Sequence, residues 1–377
     1  MARSVARYRH TLTPVIPEAG EKRRLSGTLG EALRAMARSR LALRAAGMTG
    51  GVLGALIAML ALMASAVGAH AQPLSLDDLT AAVVQVKTHI NPDGRTVQTL
   101  GLERQGSGIV IGSDGLVLTI GYLMVEAHAA EIVTNDDRTV AANVVGYDHE
   151  TGFGLLKAAA PLGIKPMGLG KSADLKAKDP ALVASFGGTG MVAPVHVAAV
   201  REFAGSWEYL LEAAIFTAPP HPAWSGAALI NREGKLVGVG SLIVRDTGGK
   251  GDGEPGNMFV PIDGLGPILA DLIAEGRVSG PARPWLGMNA EEIAGRLLVA
   301  RVTTGSPAEK AGVQKGDILL GVAGETATSL ADFYRKVWAR GGAGTTVPVD
   351  VQRAGQAKRI DVESMSRLDH LKLKSTY

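Results

Sequence analysis

The sequence of 377 residues contains no cysteine. This excludes disulfide bonds, thiol catalysis and cysteine-ligated metals, so an exported fold would depend on its hydrophobic core alone. Aromatic residues are few, at 4%, whereas glycine is abundant, at 49 residues. With 46% hydrophobic and 20% charged residues the composition is globular, and the length is sufficient for two domains. Many glycines and few aromatics favour a β-rich protein with tight turns.

The positive charge is concentrated at the N-terminus. Residues 1–47 hold 10 Lys and Arg against 3 Asp and Glu, and the rest of the chain holds 29 against 33. The remainder is therefore acidic, which gives no electrostatic case for nucleic-acid binding. No phosphate-binding glycine loop, cofactor motif or metal-ligand cluster is recognisable, so we predict no cofactor and no metal.

The basic segment precedes a stretch without charge. Residues 45–72 contain no Asp, Glu, Lys or Arg, and the stretch ends in Ala69-His70-Ala71 before Gln72. Small residues in this spacing are typical of a signal-peptidase site, so residues 1–71 are predicted to be a basic n-region and signal peptide. The rest of the chain would then be exported to the periplasm.

Two alternatives remain open for this region. About 20 apolar residues can span a bilayer, so residues 48–68 could instead stay uncleaved as an inner-membrane anchor. The n-region is unusually long, which is consistent with a true start at Met36 or Met48. Both processing alternatives place the folded part outside the cytoplasm.

Short apolar runs separated by Gly, Asp and Asn follow the targeting segment. Their length and their β-branched residues favour an all-β barrel or sandwich over residues 72–280. A short leading helix is predicted at Leu76–Ala82 and an amphipathic helix at Gly264–Glu275. The predicted strands are Ala82–Thr88, Ser107–Ile111, Leu116–Thr119, Glu131–Thr134, Thr139–Tyr147, Gly154–Lys157, Pro180–Phe186, Val192–Val200, Ala227–Ile230, Leu236–Leu242 and Met258–Pro261.

A second unit is predicted over residues 281–365, after a linker rich in Pro and Gly at 279–284. Its order is strand, strand, short helix, strand, longer helix, strand, strand. The longer helix is placed at Leu330–Ala339, where apolar residues recur at helical spacing. Residues 366–377 are expected to form a solvated tail.

Three blocks carry a resemblance to a known family. They are 105–119 (QGSGIVIGSDGLVLT), 144–157 (VVGYDHETGFGLLK) and 222–229 (PAWSGAAL), the last followed by GKLVGV at 234–239. In this order the chain resembles the HtrA/Deg serine proteases. The resemblance implies a mainly β protein, with a trypsin-like double six-stranded β-barrel followed by an α+β PDZ domain.

The same resemblance locates the catalytic positions. A serine protease needs a hydroxyl nucleophile, an imidazole that takes its proton and a carboxylate that orients the imidazole. Here Ser225 keeps the nucleophile position, Tyr122 stands at the histidine position and Gly152 at the aspartate position. Ala223 occupies the oxyanion loop, where the family has glycine. Losing triad members costs roughly 10⁴- to 10⁶-fold in rate, so the site is predicted to be impaired.

A rearranged active site is the alternative. His128, His149 and His221 lie near the catalytic segments, and His221 is the first candidate for a substitute base because it lies on the nucleophile loop. The plainer interpretation is that each is a surface or loop histidine. The bulky Trp224 beside the serine is expected to fill the pocket.

The block 305–320 (GSPAEKAGVQKGDILL) is the most specific match in the chain, and it resembles the centre of a PDZ domain. The resemblance implies that a loop with Trp285, Leu286, Gly287 and Met288 caps a peptide's terminal carboxylate with backbone N–H groups. The next strand would pair with the peptide. Leu330 and Tyr334 on the following helix would face the same groove.

These interpretations lead to one principal hypothesis. The chain is predicted to be an exported, catalytically impaired HtrA-like protein that binds unfolded proteins or peptide C-termini in envelope protein quality control. An active serine endopeptidase using Ser225 and a membrane-anchored adaptor are the alternatives. The resemblance also implies assembly, either with itself, commonly as trimers, or with active HtrA-type proteases.

Overall fold

The computed structural model describes residues 75–249, 251 and 253–373. The protein is mainly β, as predicted, and residues 73–377 form one compact unit. The predicted signal peptide or anchor lies outside the described residues. Within the described part of the chain, no helix is both long and apolar enough to cross a membrane.

The first domain contains the two six-stranded barrels that the resemblance implied. Barrel one closes in the order β1-β2-β3-β6-β5-β4. One short helix precedes the first strand of this barrel, and a second short helix connects its first two strands. The elements are α1 (Leu76–Ala81), β1 (Val83–Ile90), α2 (Val97–Leu100), β2 (Glu103–Val110), β3 (Leu116–Ile120), β4 (Ala127–Val133), β5 (Thr139–Tyr147) and β6 (Phe153–Ala158).

Barrel two closes in the order β10-β11-β12-β9-β8-β7. Its strands β8 and β9 form a long hairpin whose register shifts at two points, between Val197 and Ala199 and between Arg201 and Phe203. Such shifts bend a strand pair out of the barrel wall. The elements are β7 (Pro180–Ala184), β8 (Val192–Gly205), β9 (Tyr209–Ala218), β10 (Ala228–Ile230), β11 (Leu236–Val244), β12 (Gly256–Pro261) and α3 (Leu269–Glu275).

The sequence prediction missed β9 and ended β8 five residues early. Strand β9 reads YLLEAAIFTA, a nearly continuous apolar run that Pro219 and Pro220 follow directly. Its burial pattern does not alternate, since its first three and its last five residues are buried. A period-2 search finds no signal in such a run. The end of the β8–β9 hairpin is therefore the least predictable part of the first domain.

The second domain has the predicted order of elements, with one two-residue strand added. Its sheet runs β13-β14-β15-β17-β18, and β16 pairs with β15. Helix α5 ends one residue before the predicted boundary. The elements are β13 (Met288–Ile293), β14 (Arg296–Val302), α4 (Pro307–Ala311), β15 (Ile318–Val322), β16 (Glu325–Thr326), α5 (Leu330–Trp338), β17 (Thr346–Arg353) and β18 (Gln356–Glu363).

A solvated tail was expected after β18, and for residues 366–372 this expectation was wrong. Residues Arg367–His370 form helix α6, and His370 is buried with its ring 4.7 Å from that of Trp285. The amide of Lys372 donates to a carboxylate oxygen of Glu126 at 2.7 Å. The buried Glu126 also accepts from the amides of Arg95 and Thr96, so one carboxylate fixes the segment at Lys372 to barrel one.

Candidate functional site

The nucleophile position and the histidine position come together between the two barrels. The hydroxyl oxygen of Tyr122 lies 2.9 Å from Ser225 Oγ and 2.9 Å from the carbonyl oxygen of Ser241. A carbonyl can only accept, so Tyr122 donates its one hydroxyl proton to the carbonyl of Ser241. The contact with Ser225 is then a hydrogen bond in which the Ser225 hydroxyl donates to Tyr122. In this arrangement the serine proton already points at the phenol.

The phenol does not replace the imidazole chemically. Burial raises the pKa of Tyr122 to about 12, against the opposing effect of hydrogen bonds with Ser225 and Trp224. A general base works best with a pKa near the working pH. A neutral phenol at pH 7 is a very weak base, and it stands here where a serine protease has an imidazole.

The aspartate position carries no carboxylate, and its backbone does not favour one. Gly152 has φ +85°, in the left-handed region, and its N–H donates to the carbonyl of Asp148 at 2.9 Å. A Cβ placed on Gly152 would lie 3.1 Å from the hydroxyl oxygen of Tyr209. Tyr209 therefore occupies the space that a side chain at position 152 would need.

Asp148 is the buried carboxylate closest to this position in the sequence, and it is used locally. Its carboxylate accepts from the backbone N–H of Thr151 at 2.7 Å and from the Thr151 hydroxyl at 2.6 Å. These bonds close the turn before β6. Asp148 makes no contact with Tyr122 among the hydrogen bonds of the described residues.

The oxyanion loop has one of its two expected donors engaged. The N–H of Ala223 donates to Nδ1 of His221 at 3.2 Å, and Ala223 is not among the residues with positive φ. Glycine reaches the dihedrals that turn this N–H outward more readily than alanine. The N–H of Ser225 has no partner among the described residues, so a single free donor remains.

The nucleophile loop itself is firmly held. The carbonyl of Ser225 accepts from Ser107 at 2.8 Å, which joins it to the first hairpin. Gly226 has φ +72°, and a Cβ there would lie 1.9 Å from the carbonyl oxygen of Ser107. This close approach requires glycine. Ser225 is thus positioned as a nucleophile would be, without a base.

None of the three candidate histidines makes a hydrogen bond with Ser225 in the described part of the chain. His221 is buried, and burial lowers its pKa against hydrogen bonds with the backbone of Met191 and Ala223. His149 lies close to Arg367, and burial is the main cause that lowers its pKa well below 6.5, with Arg367 and Arg283 adding to it. His128 is exposed on β4.

Trp224 does not fill the pocket, contrary to expectation. It forms part of the wall of a cavity of about 500 Å³ at the barrel interface. The cavity is also lined by other aromatic residues, by apolar side chains and by two arginines from the C-terminal part of the chain. Its polar and aromatic lining includes Tyr122, Tyr147, His149, Trp207, Tyr209, Trp224, Ser225, Arg301 and Arg367.

The carboxylate-binding loop of the second domain has the predicted orientation. The N–H groups of Leu286, Gly287 and Met288 converge on one buried carboxylate, at 2.8, 2.6 and 3.0 Å. That carboxylate belongs to Glu208, in the turn between β8 and β9. The loop therefore binds a carboxylate, and in this structure it belongs to the same chain.

The other predicted groove residues divide into two groups. Tyr334 donates its hydroxyl to the carbonyl of Gly205 at 2.7 Å and accepts from the N–H of Glu208 at 3.2 Å. Leu330 is buried in the apolar core of the second domain and also lines the open end of the groove. Trp285 packs on His370 rather than facing the groove.

Sequence reasoning missed Glu208, Tyr209 and Arg367. Glu208 follows the unpredicted end of β8, and Tyr209 begins the unpredicted strand β9. Arg367 lies in the segment that was expected to be solvated. No residue pattern in a single sequence points to them, because each acts on a partner more than 50 positions away.

Two domain families match the chain. The trypsin-like peptidase domain matches residues 106–239, and the PDZ domain matches residues 284–363. Among solved structures, one described as "HtrA-type protease AlgW with decapeptide" is 21% identical, covers 78% of this chain and 99% of its own, and has a TM-score of 0.48.

The chain is also similar to curated proteins that are named as serine proteases. A "Probable periplasmic serine endoprotease DegP-like" of Ectopseudomonas mendocina (strain ymp) is 30% identical over 293 residues, which are 72% of this chain and 58% of the relative. "Serine protease PepD" of Mycobacterium tuberculosis (strain ATCC 25618 / H37Rv) is 28% identical over 67% of this chain and 57% of its own length. The chain thus spans less than two thirds of these relatives. The chain therefore has a trypsin-like peptidase domain followed by a PDZ domain, and it is similar to serine endoproteases named DegP-like.

Proposed function

We propose that this chain is an exported, periplasmic HtrA-like protein that does not hydrolyse peptide bonds at Ser225 and acts by binding peptides or unfolded proteins in envelope protein quality control. The observation that carries the proposal is the contact of Tyr122 with Ser225 and Ser241. It puts a phenol with a raised pKa where a serine protease needs an imidazole.

The neighbouring positions support the same proposal. Gly152 supplies no carboxylate, and the Tyr209 hydroxyl lies 3.1 Å from where a Cβ on residue 152 would be. The N–H of Ala223 is engaged by His221, which weakens the stabilisation of a tetrahedral intermediate. Removing one oxyanion donor alone costs roughly 10²- to 10³-fold in rate.

The alternative of an active endopeptidase would need His221 or His149 as the base. Both rings are engaged, His221 with Ala223 and His149 with Arg367, and both have lowered pKa values. Either ring would have to leave its partner to reach Ser225. This weighs against a rearranged site.

Proteolysis of an unfolded substrate tests the proposal. Residues 73–377 are incubated with fluorescent casein, and a parallel sample is treated with a fluorophosphonate probe that labels activated serines. We expect no cleavage and no labelling, together with casein binding measured by fluorescence anisotropy. Ser225→Ala is the matched control.

Cleavage by the wild type that disappears in Ser225→Ala would refute the proposal. A chain that neither cleaves nor binds casein would refute the binding half alone. Since the cleavage and anisotropy measurements use the same samples, these two failures are distinguishable.

A further inference from the structure

The peptide groove of the PDZ domain already holds a segment of this chain. A peptide that adds a strand to a PDZ domain places its terminal carboxylate on the backbone N–H groups of the loop and its main chain along the next strand. The turn between β8 and β9, residues 205–208, makes both kinds of contact in this structure.

The carboxylate contact is made by Glu208. Its two oxygens accept three hydrogen bonds from consecutive backbone N–H groups of the loop, and the side chain is buried, with 4% of the residue exposed. It forms no salt bridge among the described residues. A carboxylate held by backbone N–H groups in this way is how a chain end is recognised, so Glu208 takes the place of a C-terminus.

The main-chain contact is made by Ser206. The N–H of Ala290 on β13 donates to the carbonyl of Ser206 at 2.9 Å, so the turn lies beside β13 as an added strand would. On the other side of the groove, the Tyr334 hydroxyl of α5 bonds to the backbone of Gly205 and Glu208. The turn therefore lies between the strand and the helix that form the groove.

Side chains of the hairpin extend the contact. Leu210 is buried in the apolar core of the PDZ domain. Arg335 on α5 forms ion pairs with Glu202 on β8 and with Glu212 on β9. The hairpin is thus docked by an anchor at its tip and by charged contacts on both of its strands.

We propose that the β8–β9 turn is an internal ligand of the PDZ groove, and that a peptide with a free C-terminal carboxylate binds this domain by displacing Glu208. The ligand class follows from the loop: it offers N–H donors only, so an incoming carboxylate satisfies it as Glu208 does. An amidated chain end would leave these donors without an anionic acceptor.

The backbone of Glu208 makes the internal ligand displaceable. Glu208 has φ +60°, in the region that non-glycine residues rarely adopt, which costs backbone energy. A free peptide carries no such backbone strain, but it must compete with a tethered group at high effective concentration.

Peptide affinity before and after removal of the internal carboxylate tests the proposal. The protein is residues 73–377, as wild type, Glu208→Ala and Glu208→Gln. The probe is a pool of labelled decapeptides ending in Val, Leu or Phe with a free carboxylate, and the same pool with amidated ends. Binding is measured by anisotropy, and hydrogen exchange is followed in fragments covering residues 285–289.

We expect Glu208→Ala to bind the free-carboxylate pool at least tenfold more tightly than the wild type, with Glu208→Gln in the same direction. The amidated pool should gain no affinity. Exchange at residues 286–288 should be slow in the wild type, faster in Glu208→Ala, and slow again when the free-carboxylate pool is added. Glu233→Ala, an exposed glutamate on another turn, is the control and should behave as the wild type.

Equal affinity of the wild type and Glu208→Ala for the free-carboxylate pool would overturn the proposal. So would faster exchange at residues 286–288 in Glu208→Ala that no peptide reverses, because the groove would then be open and still not bind. The inference rests on the proposed peptide-binding function, whose failure is detected separately as the absence of casein binding in the anisotropy measurement.

Discussion

Replacing Tyr122 with phenylalanine isolates the role of its hydroxyl group. The hydroxyl joins barrel one to two partners in barrel two, Ser225 and Ser241, each at 2.9 Å. Ser241 lies at a register shift of β11, where the ladder pairs Gly240 and Leu242 but skips it. Its carbonyl therefore depends on Tyr122 rather than on the sheet.

The expected cost follows from these partners. A net hydrogen bond contributes about 1 kcal/mol, and a buried carbonyl left without a donor costs about 1–3 kcal/mol. We therefore expect Tyr122→Phe to lower the free energy of unfolding by about 2 kcal/mol. Ser225→Ala should cost less, about 1 kcal/mol, because Tyr122 keeps its bond to Ser241.

Urea denaturation followed by tryptophan fluorescence measures this, with Trp224 next to the site as a reporter. Tyr147→Phe is the matched control, since Tyr147 lines the same cavity and its hydroxyl has no hydrogen bond among the described residues. Its cost should stay below about 0.5 kcal/mol. Equal stability of the two variants would refute the assignment of Tyr122 as a bond between the barrels. A wild-type protease activity that Tyr122→Phe abolishes would instead make the phenol part of a catalytic mechanism.

Two further predictions concern the same region. The double variant Tyr122→His, Gly152→Asp should not cleave casein, and cleavage dependent on Ser225 would contradict this. It should lose about 3–4 kcal/mol, about 2 from the Tyr122 hydroxyl bonds and about 1–2 because residue 152 is left-handed and faces Tyr209. The pKa of His149 in the folded protein is well below 6.5, so at acidic pH the unfolded chain binds a proton at this residue that the folded chain does not. The free energy of unfolding should therefore fall as pH drops below about 6.5, by about 1.4 kcal/mol per pH unit for this group. Urea denaturation at pH 7.5 and 5.5 measures this fall in the free energy of unfolding. His149→Gln should reduce the fall, and the exposed control His128→Gln should not. An unchanged fall in His149→Gln would contradict the assignment of the pH dependence to His149.

Short-range signals in the sequence predicted strands and helices, and the resemblance of ordered motifs to a known family implied the two-domain architecture. Strands such as β5 (Thr139–Tyr147) carry β-branched residues between turn residues, and the longer PDZ helix follows from apolar spacing over 330–339. Ordered blocks at the first hairpin and at the nucleophile loop indicated the first domain, and the block 305–320 indicated the second. The matching blocks located Tyr122 and Gly152 at the catalytic positions, because a substituted residue keeps its position relative to the matching residues on either side of it.

What the sequence missed depends on contacts between distant segments. Strand β9 is a nearly continuous apolar run without alternation, and Glu208 lies just before it. The role of Glu208 comes only from the N–H groups of Leu286–Met288, 78 positions or more away. The C-terminal segment appears polar and solvated in the sequence, yet His370 is buried against Trp285.

The sequence by itself therefore determined which chemical groups are present at the catalytic positions, and that a trypsin-like domain precedes a PDZ domain. These are properties of residue identity and local pattern. Only the tertiary structure decided that Tyr122 bonds to Ser225 and that Glu208 lies in the peptide groove. Both depend on the distance and orientation of groups that chain folding brings together, and the cost of burying a polar group is set by that final environment.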